Sequence, residues 1–435
     1  MHYHFIGIKG SGMASLAEIV ADRGDEVSGS DIEKYIFTQK PLEERGIPIY
    51  PFSADNIHEG DTVIIGLAFD ESNPEVYKAL HTPGVKHYWY NEFLGELLTH
   101  YRSISVAGTH GKTTTTGMLA HVLEYMAPTG FLIGDGHGEM PAGAQNFVLE
   151  SCEYQRHFLA YHPDYAIITN IELDHVDYYQ GIEDYCSAFS AFARQVKKGI
   201  VYFGDDPYLP SLDYPVPALS YGLGEQNDVR AVNVEQGEHG MRFDILYKGK
   251  PFGHFELPFV GMPMLWDSIG VIALGIMLGA DAALLQQGIA SFPGVKRRFI
   301  LEENGDNVYI DDYAHHPTAV RYLIEAARIR CPHRRIIAIF KPDRYSRIAY
   351  FLDDFAHALN EADEVFLCDF PANAKKEDGV DVCIQDLAAR CKNAVVIAED
   401  DAAAARTLAE RGPAVYVFMS SKDIYKLKNR LKNFQ

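Results

Sequence analysis

The chain has 435 residues, 47% hydrophobic and 23% charged, the balance of a folded globular protein with room for about three domains at roughly 150 residues each. Asp and Glu number 60 against 39 Lys and Arg, and a formal charge of -21 disfavours nucleic acid and anionic membranes as partners. No apolar run nears the ~20 residues of a membrane span, and six cysteines without a CxxC pair argue for reduced, buried thiols in a cytoplasmic protein.

Strand–loop–helix alternation divides the chain into blocks of 1–100, 101–293 and 294–435, the pattern of an α/β protein with parallel sheets. Residues 2–6 read as a strand with no basic segment ahead of an apolar core, so no signal peptide is expected. Gly7-Ile8-Lys9-Gly10-Ser11-Gly12 reads as a turn, 13–23 as a helix with Leu16, Ile19 and Val20 on one face, and 26–29 as a strand ahead of Ser30 and Asp31. Apolar segments at 62–66 and 86–89 extend a small sheet. The turn spacing, Gly-x-x-Gly-x-Gly, is not the dinucleotide fingerprint Gly-x-G-x-x-Gly, although Asp31 stands where an acid can meet a ribose. A site for a diphosphate on another molecule fits better than an NAD site, with a purely structural tight turn as the alternative.

In the second block a strand at 103–107 precedes Gly108-Thr109-His110-Gly111-Lys112-Thr113-Thr114, and a helix follows with Met118, Leu119, Val122, Leu123 and Met126 on one face. Small residues let backbone N–H groups curl around phosphate oxygens, and the helix N-terminus adds its positive end. Lys112 is placed to bridge terminal phosphates and the Thr113 hydroxyl to ligate Mg²⁺. Val106 stands where the usual loop has a glycine. Strands at 147–149 and 165–169 end in Glu150 and Glu153, and in Asn170, Glu172, Asp174, His175 and Asp177. If both strands neighbour the phosphate loop, Glu153 and His175 converge on the nucleotide and suit a second divalent cation. Helix capping by Asp174 amid surface acids is the bland reading. Strand-like sequence over 200–260 predicts a small antiparallel addition.

The third block reads as strands at 308–310, 336–340, 364–367, 394–397 and 414–418. The first runs into Asp311-Asp312-Tyr313-Ala314-His315-His316-Pro317. Adjacent histidines point apart in most backbones and no third ligand has suitable spacing, so a substrate-orienting role is expected there and not a zinc pair. Lys296, Arg297 and Arg298, with Arg344 and Arg347, offer a bidentate grip on phosphate or carboxylate in an otherwise acidic chain. Exposed charge without a ligand is the alternative.

Taken together, Gly7 to Met13, Gly108 to Thr114, Thr169-Asn-Ile-Glu-Leu-Asp-His175, Gly294-Val-Lys-Arg-Arg-Phe299 and Asp311 to Pro317 resemble the motifs of the Mur ligases, in order and over nearly the whole chain. The resemblance is strongest to the branch that adds L-alanine to UDP-N-acetylmuramate. It implies three domains: an N-terminal Rossmann-like domain for the UDP-sugar, a central P-loop ATPase-type parallel sheet, and a C-terminal Rossmann-like doubly wound sheet for the amino acid. It also implies an ADP-forming ligase of peptidoglycan synthesis, a cytoplasmic monomer or homodimer that uses ATP and Mg²⁺. On this resemblance Gly108, Thr109, His110, Gly111, Lys112, Thr113, Thr114 and Asn170 hold ATP, with Arg298 and Asp312 contacting it from the hinge side. One Mg²⁺ falls to Thr113 and another to Glu153 and His175. Tyr313, His315, Arg344 and Arg347 seat the amino acid or the charged intermediate. Gly10, Ser11, Gly12, Met13, Ser30 and Asp31 fall in the UDP-sugar site. Residues 176–196 contain no lysine, as expected of the alanine-adding branch and unlike sister ligases that carry a carbamoylated one.

Three stretches depart from the family pattern. Gly261-Met-Pro-Met264-Leu-Trp-Asp267 replaces Gly-x-His-Asn-x-x-Asn, Lys341-Pro342-Asp343 replaces Gln-Pro-His, and Ser420-Ser421-Lys422-Asp423 replaces Gly-Ala-Gly-Asp. Base contacts and amino-acid choice are where these changes act. The alternatives are therefore a paralogous ligase adding another amine or peptide, such as a murein tripeptide, and a non-catalytic nucleotide- or UDP-sugar-binding protein.

Overall fold

The computed structural model describes residues 1–435 apart from 135, 372, 373, 375, 378, 400, 401, 423 and 435, so Asp423 lies outside the described residues. Three sheets follow one another along the chain. The first is all parallel, with strands in the order Ile49–Tyr50, Glu26–Ser30, His2–Ile6, Thr62–Ile65 and Lys86–Trp89. The order reverses at His2–Ile6, which opens a crevice at the carboxyl end of that strand, where the Gly7 turn sits.

The second sheet has ten strands. Its parallel heart runs Ala218–Gly222, Gly199–Phe203, Tyr165–Ile168, Arg102–Ala107, Asn146–Glu150 and Thr129–Ile133. Val229–Gly237, Gly240–Tyr247 and Lys250–Leu257 continue one edge, the last two pairings antiparallel, and His137–Glu139 closes the other edge. The antiparallel addition expected over 200–260 is thus confined to these last three strands. Gly199–Phe203 and Ala218–Gly222 are parallel members of the main sheet: Gly199–Phe203 pairs with Tyr165–Ile168 on one side and with Ala218–Gly222 on the other. The third sheet has the order Ile300–Asn304, Asn307–Asp312, Val415–Met419, Ile336–Phe340, Glu364–Cys368 and Val395–Ile397, parallel except for the first strand. All five strands expected there form.

The interior strands are apolar on both faces because helices cover both, as parallel sheets require. Val148, Ile167 and Val201 face the helices Lys112–Glu124 and Met262–Met277 on one side of the central sheet. Phe147, Leu149 and Ile168 face the other side, in a core that continues into the first sheet through Phe93 and Leu97. The helix Ser11–Asp22 docks on the edge strand His137–Glu139 so closely that a Cβ on Gly138 would lie 2.4 Å from the Ser15 carbonyl. The cysteines are all free thiols, but only Cys331, Cys368 and Cys391 are buried; Cys152 and Cys383 are exposed, contrary to the expectation from composition.

Candidate active site

The phosphate loop leaves the central strand Arg102–Ala107, whose neighbours are Asn146–Glu150 and Tyr165–Ile168. The two acidic strand ends therefore flank it. Gly108 adopts φ +139°, and a Cβ there would come within 2.0 Å of Thr169 Oγ1, so only glycine allows the loop to pass. Asn170 staples the loop from the neighbouring strand: its Oδ1 accepts from the His110 N–H at 2.9 Å and its Nδ2 donates to the His110 carbonyl at 3.0 Å. Thr109 N–H donates to the Asn170 carbonyl at 3.1 Å.

Lys112 sits at the start of the helix with Nζ 3.0 Å from Glu153 Oε2, and it donates to the Gly108 and Thr109 carbonyls at 2.6 and 3.0 Å. Burial works against both charges, yet each holds the other: the Glu153 carboxyl lies below its usual range and the Lys112 ammonium above. His175 Nε2 is 3.2 Å from Glu153 Oε1, on a left-handed backbone at φ +51°. Strain of that kind gathers at functional sites. Thr113 Oγ1 donates to Glu150 Oε1 at 3.1 Å. His175 Nδ1 is buried without a hydrogen-bond partner among the described residues. Oxygen donors from Thr113, Glu150 and Glu153 with one unused imidazole nitrogen fit a hard divalent cation such as Mg²⁺.

The third sheet faces this loop. The linker out of the central domain presses Val295 into the notch at Gly117, where a Cβ would meet Val295 Cγ1 at 2.2 Å. Arg298 then reaches back, Nη2 donating to Thr113 Oγ1 at 3.1 Å. Asp312 holds the same linker, accepting from Phe299 N–H at 2.8 Å and Ala314 N–H at 2.7 Å. Burial raises its carboxyl pKa against the pull of Arg298. Arg297 and Arg298 flank the ring of Tyr313, 4.6 and 5.0 Å from its centroid. His315 Nδ1 bonds the Tyr313 carbonyl at 2.9 Å, and burial followed by repulsion from Arg347 pushes its imidazolium down to about 4.

The two expected arginines both cross to the central domain. Arg344 Nη1 meets Asp177 Oδ2 at 2.7 Å, with its guanidinium over the Tyr154 ring. Arg347 is buried between two carboxylates, Nε 3.0 Å from Asp174 Oδ1 and Nη1 2.7 Å from Asp343 Oδ1. Burial alone would raise both acids, but Arg347 outweighs it, bringing Asp343 to about 2 and Asp174 well below the normal range. Ser421 Oγ completes the cluster by donating to Asp343 Oδ2 at 2.9 Å, so two of the departures from the family pattern touch each other.

In the first domain Asp31 accepts from Lys9 N–H at 2.7 Å and pins the Gly7 turn. Gly12 leaves room for Tyr90, whose hydroxyl would lie 2.6 Å from a Cβ. Met13 is buried, Gly10 and Ser11 border the turn, and the fully buried Ser30 hydroxyl bonds Glu75 inside the domain. Sequence reasoning singled out neither the Asp174–Arg347 pairing nor the place of Glu150 beside Thr113. Asp267, at the end of the altered stretch from Gly261, packs on the loop: a Cβ on Gly111 would lie 2.4 Å from its Oδ1, and burial pushes its carboxyl up to about 8.

A glycine–lysine–threonine loop flanked by buried carboxylates and met by guanidiniums from a second Rossmann-like unit suits an ATP-dependent ligase. Three family profiles match in order: "Mur ligase family, catalytic domain" over 2–102, "Mur ligase middle domain" over 106–274 and "Mur ligase, glutamate ligase domain" over 297–422. A UDP-N-acetylmuramate–L-alanine ligase of Lactiplantibacillus plantarum is 47% identical over 425 residues, 98% of this chain and 96% of its own. The chain belongs to the Mur ligase family. Among solved structures, a UDP-N-acetylmuramate–alanine ligase of Thermotoga maritima superposes with a TM-score of 0.80 at 28% identity, covering 100% of this chain and 99% of its own. A murein peptide ligase of Psychrobacter arcticus shares the fold with a TM-score of 0.72 at 22% identity, covering 100% and 98%.

Proposed function

We propose that this ligase joins L-alanine to UDP-N-acetylmuramate in peptidoglycan synthesis, with ATP as the energy source. The reading is carried by the 47% identity to an alanine-adding ligase over 98% of the chain. In this scheme residues 1–100 bind the UDP-sugar, 101–293 bind ATP and 294–435 bind the amino acid. The terminal phosphoryl group of ATP passes to a lactyl carboxylate oxygen and ADP leaves. The alanine nitrogen then attacks the acyl carbon, and phosphate departs as the amide forms.

Lys112, already charged and buried, meets the charge that develops on the transferring group. Gly108 to Thr114 cradle the triphosphate, Asn170 fixes the loop, and Arg298 and Asp312 position the hinge against it. Mg²⁺ at Thr113 and at Glu153 with His175 would supply charge neutralisation and a template for in-line transfer. His315 donates from Nδ1 to a carbonyl, which leaves Nε2 as an acceptor for the incoming ammonium. Arg344 and Arg347 address the amino-acid carboxylate. Gly10, Ser11, Gly12, Met13, Ser30 and Asp31 frame the UDP-sugar crevice.

Phosphate release and amide formation with UDP-N-acetylmuramate, ATP and Mg²⁺, over a panel of amino acids and the murein tripeptide, test this reading. Stimulation by L-alanine alone is the expected result. Asp343, standing where the family has a histidine, favours a second reading in which another amine or the tripeptide is the acceptor, and stimulation by one of those would establish it instead.

A further inference from the structure

A second polar cluster lies between the central and C-terminal domains, and it shares no residue with the Lys112–Glu153–His175 centre. His110 Nε2 is 2.7 Å from Glu172 Oε2, and His316 Nδ1 is 3.8 Å from the same oxygen. The three ligand atoms lie within 4.8 Å of one another, and the two imidazole centroids are 4.8 Å apart. Thr318 Oγ1 donates to Glu172 Oε1 at 2.6 Å, which orients the carboxylate so that Oε2 faces the imidazoles.

His316 is the telling member. Its side chain is 2% exposed, it precedes the helix Pro317–Arg330 without capping it, and both ring nitrogens lack a hydrogen-bond partner among the described residues. An imidazole buried in that state is costly unless something binds it. Burial, with repulsion from His110, pushes its imidazolium down to about 3, so the ring is neutral and ready to donate a lone pair. Glu172 is 41% exposed and leaves a path for an ion and a fourth, water ligand.

We propose that His110, Glu172 and His316 form a zinc site that fastens the C-terminal domain to the phosphate loop. Two imidazole nitrogens and one carboxylate oxygen are the donor set of a tetrahedral zinc centre with one open position, whereas Mg²⁺ asks for oxygen ligands. The adjacent pair His315–His316 is not the ligand pair: His315 serves the Tyr313 carbonyl, and the partners of His316 come from the other domain. Because the ligands belong to two domains and one of them is part of the loop, zinc favours the domain arrangement described above.

Cobalt(II) is a visible reporter of tetrahedral zinc sites. One equivalent added to the full-length protein in excess Mg²⁺ is expected to give an intense visible d–d band that zinc abolishes. His316→Phe, which keeps a ring in the cavity, and Glu172→Gln, at a half-open position, should each weaken zinc binding at least tenfold in chelator competition. His175→Ala should leave the band intact. Absence of a band in the parent, a band that survives in His316→Phe, or one lost in His175→Ala while retained in both other variants would each overturn the proposal.

Discussion

Lys112 and Asp267 show opposite outcomes of burying a charge beside the same loop. Lys112 is matched by Glu153 at 3.0 Å, and both stay ionised. Lys112→Ala is expected to lower turnover by at least about a hundredfold, the scale of losing a charge aimed at the transition state, while UDP-sugar binding persists because the crevice proposed for it lies in another domain. Phosphate release and a nucleotide-sugar binding assay on the same preparation separate the two; comparable turnover would remove Lys112 from its role. At Asp267 burial outweighs the pull of Thr115 and Arg298, and the carboxyl pKa rises to about 8. Its unfolded value is about 3.9. Between those values the folded chain holds a proton that the unfolded chain releases, so stability falls as pH rises from the lower value through the upper one. Asp267→Asn keeps the shape without the titration. Its Tm should match the parent near pH 4 and exceed it by about 3 °C or more at pH 8, since 1 kcal/mol moves Tm by about 2–4 °C in a domain of this size. Equal melting curves across that range would contradict the assignment.

Among the elements, the phosphate loop depends on backbone that only glycine can adopt. Gly108→Ala combines φ +139° with a Cβ 2.0 Å from Thr169 Oγ1, strain of roughly 1–3 kcal/mol before any neighbour moves. Nucleotide affinity, read with a fluorescent ATP analogue, should drop about tenfold or more; unchanged affinity would show that the loop tolerates the shift. This loop was legible in the sequence because turn chemistry is local: glycines, a lysine and threonines sit between an apolar strand and an amphipathic helix. The buried strands were legible for the same reason, as at 336–340, where Ile-Ile-Ala-Ile-Phe admits little else. Ile300–Asn304 was missed because only two of its five residues are apolar and it forms a half-exposed antiparallel edge. The helix Pro74–His81 was missed despite a readable signal: Asn73 caps it and proline opens it. Ala218–Gly222 pairs parallel with its neighbours in the chain, Gly199–Phe203 and Val229–Gly237, and that direction is set by how the connections cross over the sheet, not by the composition of the strands.

Across the whole molecule the least legible feature is the ion-pair cluster that joins the domains, since Asp174 and Arg347 are 173 residues apart. A buried guanidinium between two carboxylates has more consequence than exposed pairs, because removing one member leaves another buried and unmatched. Asp174 and Asp343 both titrate below their usual range, so their contribution is present above about pH 4 and is lost as pH falls toward 2. Docking of the C-terminal domain should loosen over that interval.

Asp343 also bears on which amine is used. Where the family carries a histidine, this chain has an anion 2.7 Å from Arg347 Nη1, and Ser421 holds it there. The guanidinium that would meet the amino-acid carboxylate is thereby matched in advance, and an incoming carboxylate has to compete with Asp343 for it. Asp343→His removes the competing charge while Asp174 keeps Arg347 in place through Nε at 3.0 Å. The KM for L-alanine is expected to fall several-fold with kcat little changed, as for an interaction that serves binding and not the transition state. A KM that stays the same or rises would mean that Asp343 aids the substrate, whether by ordering Arg347 or by meeting the ammonium, and would shift attention to acceptors that carry a further positive group.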